Sequence, residues 1–171
     1  ADPAPALSAM EASGILGRVL PGASARSVSL LVDLEQGLAP DALRRLACLG
    51  GEVVQDCLRL SNLQARRVEA LRFHGQNTSK ALAHGYALGA APGWSSWLLR
   101  AAWTEQRVTA VEQEAVRRGA QSVCPVSAVD LMPKYHGPAL GAALKRAQDI
   151  WIARDMQLTK DEILVHLDGL G

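Results

Sequence analysis

The chain has 171 residues and a mass of 18.2 kDa, with 49% hydrophobic and 20% charged side chains and a formal net charge of +1. That size suits one domain or two small lobes, is enough to bury a core without disulfides, and carries no long charge run or low-complexity tract of a disordered protein. No apolar stretch reaches the roughly 18 residues of a membrane span, and the start at Ala1 without a methionine leads us to expect a processed or excised piece of a cytoplasmic protein, with no signal peptide.

Taken in chain order, almost every segment reads as a helix. Ala4 to Glu11 carries Leu7 and Met10 on one face and stops at Ser13-Gly14. Ile15 to Leu20 makes a short apolar turn closed by Pro21-Gly22. Ser27 stands where it can cap a helix striped by Val28, Leu30, Leu31 and Leu34, ended by Gly37. Asp41 opens the next, with Leu43, Leu46, Ala47 and Leu49 inward and Arg44 and Arg45 largely outward, up to Gly50-Gly51. After a short Glu52–Leu60 piece, Ser61 caps a helix through Arg72 whose inward series is Leu63, Val68 and Leu71; Arg66, Arg67 and Arg72 point to solvent or a partner.

Glycines at 75, 85, 89 and 93 punctuate the middle, leaving helices over Ser79–Leu88, Trp94–Trp103 and Glu105–Arg118. Trp94, Trp97 and Trp103 with Leu98 read as packing of a second lobe, because aromatic residues at helical spacing are more often core than binding platform. Gln121 to Pro133 is a loop-rich connection. Pro138 suits the first turn of a long helix through Arg154, apolar at Leu140, Leu144, Ala147, Ile150 and Trp151. Thr159 and Glu162 form a capping box for a last helix, Lys160 to Leu167. No run alternates with period two, so the expectation is an all-α bundle of about eight to nine short helices in two lobes, a body at 1–76 and a tail at 77–171.

Catalytic constellations are missing from this pattern. His74, His84, His136 and His166 are scattered, with no pair at metal spacing and no His-Asp dipeptide. Asp33 and Glu35 lie two apart on a helix and diverge, whereas a two-metal phosphoryl-transfer site needs converging carboxylates. There is no phosphate-binding loop or dinucleotide fingerprint, and Ser95, Ser96 and Ser127 have no identifiable base. Cys48, Cys57 and Cys124 form no C-x-x-C pair and read as small buried residues. Fourteen arginines against four lysines is a skew that fits either phosphate binding or GC-rich codon usage.

The stretch from Gly137-Pro-Ala-Leu-Gly141 through Ile150-Trp151-Ile152 to Thr159-Lys-Asp-Glu162 resembles the C-terminal segment of bacterial class II tRNA nucleotidyltransferases, the CCA-adding enzymes, and their poly(A) polymerase relatives. In that family a G-P-x-x-G turn leads into a helix with a W-I motif, followed by a Thr- or Ser-capped acidic helix. The opening from Asp2 through Leu7, Met10 and Gly14 to Val19-Leu20-Pro21 is similar to the segment after the family's neck. Asp41-Ala-Leu-Arg44-Arg45-Leu46 and Leu58-Arg-Leu60-Ser61-Asn62 match in the expected order, so the likeness spans nearly the whole chain. Where the family commonly carries Gly-Arg-Asp-Leu, this chain reads Ser127-Ala128-Val129-Asp130-Leu131, and Lys134-Tyr135-His136 replaces a shorter lead-in to Gly137.

The resemblance implies a helical body and tail that hold tRNA against a separate catalytic head, whose Gly-Ser turn and paired aspartates these residues do not contain. The parent enzyme would use magnesium with CTP and ATP; no cofactor is expected in this chain. Holding a duplex arm requires cations directed at phosphates from a rigid face. The candidates are Arg44, Arg45, Arg66, Arg67 and Arg72 on the body and Lys134, Lys145, Arg146 and Arg154 on the tail. For each the alternative is a solvated helix face with i,i+4 partners, such as Arg45 with Asp41. A poly(A) polymerase region, or a helical protein-interaction module that has lost RNA binding, are the other readings.

Overall fold

The computed structural model describes residues 2–169, and among them the only regular secondary structure is helical. In chain order the helices are α1 (Ala4–Ala12), α2 (Ile15–Val19), α3 (Val28–Leu34), α4 (Ala42–Leu49), α5 (Val54–Leu58) and α6 (Asn62–Asn77). They continue with α7 (Ala81–Leu88), α8 (Ala90–Trp103), α9 (Ala110–Gln121), α10 (Ala128–Leu131), α11 (Pro138–Ala153) and α12 (Lys160–Asp168). The all-α expectation holds, with twelve helices among the described residues where the sequence suggests about eight to nine. One isolated antiparallel bridge, Ala23 to Gly50, ties the loop before α3 to the end of α4.

Local signals set many of these ends. The Asp41 carboxylate accepts from the Leu43 and Arg44 amides at the start of α4. Ser61 and Gln64 form a reciprocal capping box on α6, and Thr159 and Glu162 form one on α12. Ser27 precedes α3 without making a side-chain cap. The segment expected to be a loop before Pro133 contains α10, held by a capping box of Ser127 and Asp130.

The chain divides into compact units at residues 1–120 and 121–171, whereas the sequence reading divides it at 76/77. The later division follows from α6, which runs through Gly75 to Asn77 and packs on α8. In the first unit α8 is the central helix, touching α3, α4, α6 and α7. Its Leu98, Leu99 and Ala102 meet Val28, Leu31, Ala47, Cys48, Val68 and Leu71 in one buried cluster. Trp94 and Trp103 pack on that same cluster, so they serve the body's core and not a separate lobe.

Gly85 and Gly93, read from sequence as punctuation, lie inside α7 and α8. A Cβ on Gly85 would stand 1.9 Å from the Val116 carbonyl oxygen of α9, and one on Gly119 of α9 would stand 1.9 Å from that of Leu82. Glycine here allows two helix backbones to touch. In the second unit α11 packs against α10 and α12, and Trp151 is buried as expected, along with Ala147, Ile163 and Leu167.

Candidate nucleic-acid interface

A side chain that grips phosphate must be exposed and not already committed to a stronger partner. Arg44 fails both conditions. It is 5% exposed; its Nε donates to Glu35 Oε1 at 2.7 Å, its Nη1 to Ser95 Oγ at 3.2 Å and its Nη2 to the Ala39 carbonyl at 3.1 Å. Arg45 donates from Nε to Glu35 Oε2 at 2.9 Å, and its Nη2 lies 2.8 Å from the same oxygen. Glu35 is itself buried, so one carboxylate neutralises two guanidinium groups at the foot of α3. Glu35, at the end of α3, is a partner for Arg45 that the i,i+4 spacing within α4 does not reveal.

Arg72 is half-buried and acts as a clasp. Its Nε donates to the Ala47 carbonyl at 3.3 Å, Nη1 to Gly51 at 3.0 Å, and Nη2 to Leu46 at 3.3 Å and to Gly50. These are the orphan carbonyls at the C-terminus of α4, where a cation also complements the helix dipole. Gly50 and Gly51 both have positive φ, which turns their carbonyls toward the guanidinium. Arg44 and Arg45 are therefore committed to Glu35, and Arg72 spends four of its five donors as a structural clasp.

Arg66 and Arg67 remain. Both are exposed on α6, a helix of 16 residues. Arg66 makes no ion pair among the described residues. Arg67 pairs with Asp41, the capping residue of α4. The outward stripe of α6 also includes Leu63 at 79% and Phe73 at 61% exposure, one helical turn before and two turns after Arg66. Sequence reasoning placed Leu63 inward and did not single out Phe73. The signal for both was the helical spacing from Arg66, once α6 is known to continue past Arg72.

On the second unit, Lys145, Arg146 and Arg154 are exposed. Arg146 has a partner of its own. Lys134 Nζ lies 2.6 Å from Asp168 Oδ2, which raises its pKa further. The nearby Ser127–Leu131 segment is built around Asp130. Its carboxylate takes Lys160 Nζ at 2.6 Å together with the Ser127 hydroxyl and amide, and these hold it far below the usual carboxylate range. Twelve of the fourteen arginines lie in the first unit, so that unit carries the positive balance.

The other candidate chemistry is internal. Ser96 does have a histidine partner, His84, which the sequence did not reveal. Nε2 of His84 lies 2.9 Å from the Thr78 carbonyl oxygen and so carries the proton of the neutral ring; Nδ1 lies 3.0 Å from Ser96 Oγ, whose single hydroxyl hydrogen is shared between that nitrogen and the Leu71 carbonyl oxygen at 2.9 Å. Both side chains are fully buried, and burial pushes the His84 pKa down to about 4. A serine with no access to substrate cannot act as a nucleophile, so this is a structural tie among α6, α7 and α8. Cys48 is buried as expected, whereas Cys57 is exposed and Cys124 half-buried. Among the described residues no group of three or more His, Cys, Asp and Glu side chains could hold a metal ion, and no helix is long and apolar enough to cross a membrane. No protein-family profile, curated protein or solved structure matches the chain.

Proposed function

We propose that this chain is the non-catalytic tRNA-holding body and tail of a class II CCA-adding nucleotidyltransferase, acting in the cytoplasm beside a catalytic head that these residues do not contain. The ordered motifs support the reading. Gly137 and Pro138 start α11, Trp151 is buried on it, and the Thr159–Glu162 box starts α12. The observation that carries RNA holding is the α6 stripe, where Arg66 and Arg67 stand exposed on one rigid helix. Charge on such a face gives grip without base readout, which is what a module serving many tRNAs requires. A poly(A) polymerase region would use the same face.

A tRNA lacking its CCA end, titrated with the chain across salt concentrations, tests this. Arg66→Glu should weaken binding and lower the salt slope by about one unit for each phosphate no longer neutralised. Arg67 is better tested as Arg67→Ala, because a glutamate there would face Asp41 and disturb the cap of α4. Unchanged affinity and slope in both variants would remove α6 from the RNA surface. The exposed Leu63 and Phe73 favour a second reading, a protein-interaction face. On that reading Leu63→Ser and Phe73→Ser abolish partner capture while Arg66→Glu changes little.

A further inference from the structure

A cleft of about 330 Å³ opens between the segment before α3, the C-terminus of α4, α6 and the end of α8. That volume lies at the lower end of the range for small-ligand sites. Arg26, Arg72, Ser24, Ser27, Gln76 and Trp103 supply its polar and aromatic lining, and no acidic side chain lines it. Two guanidinium groups without a carboxylate in the wall give the cleft an anion's complement.

Each group has capacity left. Arg72 commits four of its five N–H donors to carbonyls, leaving one on Nη1, and no carboxylate pairs with it among the described residues. Burial also lowers its pKa, with Glu69 opposing the shift, as expected of a cation short of a counter-charge. Arg26 meets Glu105 at 3.3 Å in a pair whose side chains are 82% and 62% exposed, which water screens and a buried anion would outcompete. Ser27 makes no capping bond with its own helix. Trp103 spends its indole N–H on the Cys48 carbonyl at 3.3 Å and offers the ring as an apolar wall. The Cys48 thiol, pushed up to about 12 by burial, stays neutral and adds no negative charge.

We propose that this cleft binds one nucleotide, with its phosphate on Arg26 and the spare Arg72 donor, its base against Trp103, and its edge hydrogen-bonded by Gln76 and Ser27. The volume takes a single unit. That unit is either a free nucleoside monophosphate or an unpaired nucleotide of an RNA chain; the recognised chemistry, a phosphate joined to an aromatic base, is the same. The site does not depend on the α6 stripe holding RNA.

The test follows the Trp103 indole N–H of the full chain by heteronuclear NMR, assigned with Trp103→Phe, during titration with AMP, CMP, inorganic phosphate and a short single-stranded RNA. Saturable shifts of that resonance with the nucleotides are expected. Arg26→Ala, at an exposed position that leaves the fold intact, should weaken nucleotide binding about tenfold by removing one charge-assisted hydrogen bond. RNA binding tighter than AMP identifies the chain-borne source, and AMP binding tighter identifies the free one. Absence of a saturable shift with every probe, equal affinity for AMP and inorganic phosphate, or an unaffected Arg26→Ala variant would each overturn the proposal.

Discussion

Glu35 holds two guanidinium groups on one carboxylate; it and Arg44 are buried, and Arg45 is partly exposed. Taking charges out of water costs several kcal/mol, offset here because Arg44 and Arg45 each make short hydrogen bonds to the carboxylate and Arg44 finds two further acceptors. Removing one member leaves the others uncompensated. Glu35→Ala should therefore lower unfolding stability by about 3–5 kcal/mol, read from urea midpoints. A loss under about 1 kcal/mol would mean that water reaches Arg44 and that the network is weaker than its geometry. The same physics explains why these arginines were misjudged from sequence. Arg44 stands three and four residues before Ala47 and Cys48, the buried stripe of α4, and only its charge argued for the outside; the Glu35 carboxylate and Ser95 hydroxyl that let it stay inside arrive from the end of α3 and from α8. Arg66 keeps its expected exposure because nothing from another element covers it.

Helix ends were legible because caps are local: Asp41, Ser61, Pro138 and the Thr159–Glu162 pair act within about one turn of their own chain. Helix interiors were not, because a glycine that breaks a helix and a glycine that lets another helix approach have the same sequence appearance. Gly85 and Gly141 separate the two effects. An alanine at Gly141, whose Cβ would meet nothing, should stabilise by about 0.5–1 kcal/mol through helix propensity. An alanine at Gly85 gains the same propensity but drives its Cβ into the Val116 carbonyl, so a net loss of about 1 kcal/mol or more is expected. Thermal melts of the two variants should shift in opposite directions, and a stabilised Gly85→Ala would show that α7 and α9 are not in backbone contact. The His84 tie makes the same elements sensitive to acid. The unfolded chain takes up a proton near pH 6.5, while the folded chain resists until about pH 4. Stability is thus complete above about pH 6.5 and falls through that window by on the order of 3 kcal/mol for this one group. Burial lowers the pKa of His74 as well, adding to the loss in the same direction. A smaller fall in urea midpoint between pH 7 and pH 4.5 for His84→Gln than for the parent chain confirms that His84 is the group responsible; an equal fall refutes it.

Across the whole molecule, the fold leaves few of the cations expected to face RNA free to do so. Of the nine basic residues that the sequence offers for RNA, Arg44, Arg45 and Arg72 hold the body together and Lys134 pairs with Asp168. Arg146 is engaged within the chain, which leaves Arg66, Arg67, Lys145 and Arg154, and Arg67 is shared with Asp41. A protein that depended on a diffuse basic surface would show a steep response to salt. From the nine candidates about four cations remain to place on phosphates, which corresponds to a slope of log affinity against log salt of about −4 for a duplex arm held by these positions alone. The expected tRNA titration is therefore modest in affinity, shallow in its salt dependence, and strongly affected by Arg66→Glu. Measured slopes near −2 to −4 would match a grip confined to these positions. A slope beyond about −6 would require cations outside this set, such as the exposed Arg18, Arg59 and Arg107. No binding at low salt would instead leave the exposed Leu63 and Phe73 as the more informative part of α6, and would point to a protein partner for that face.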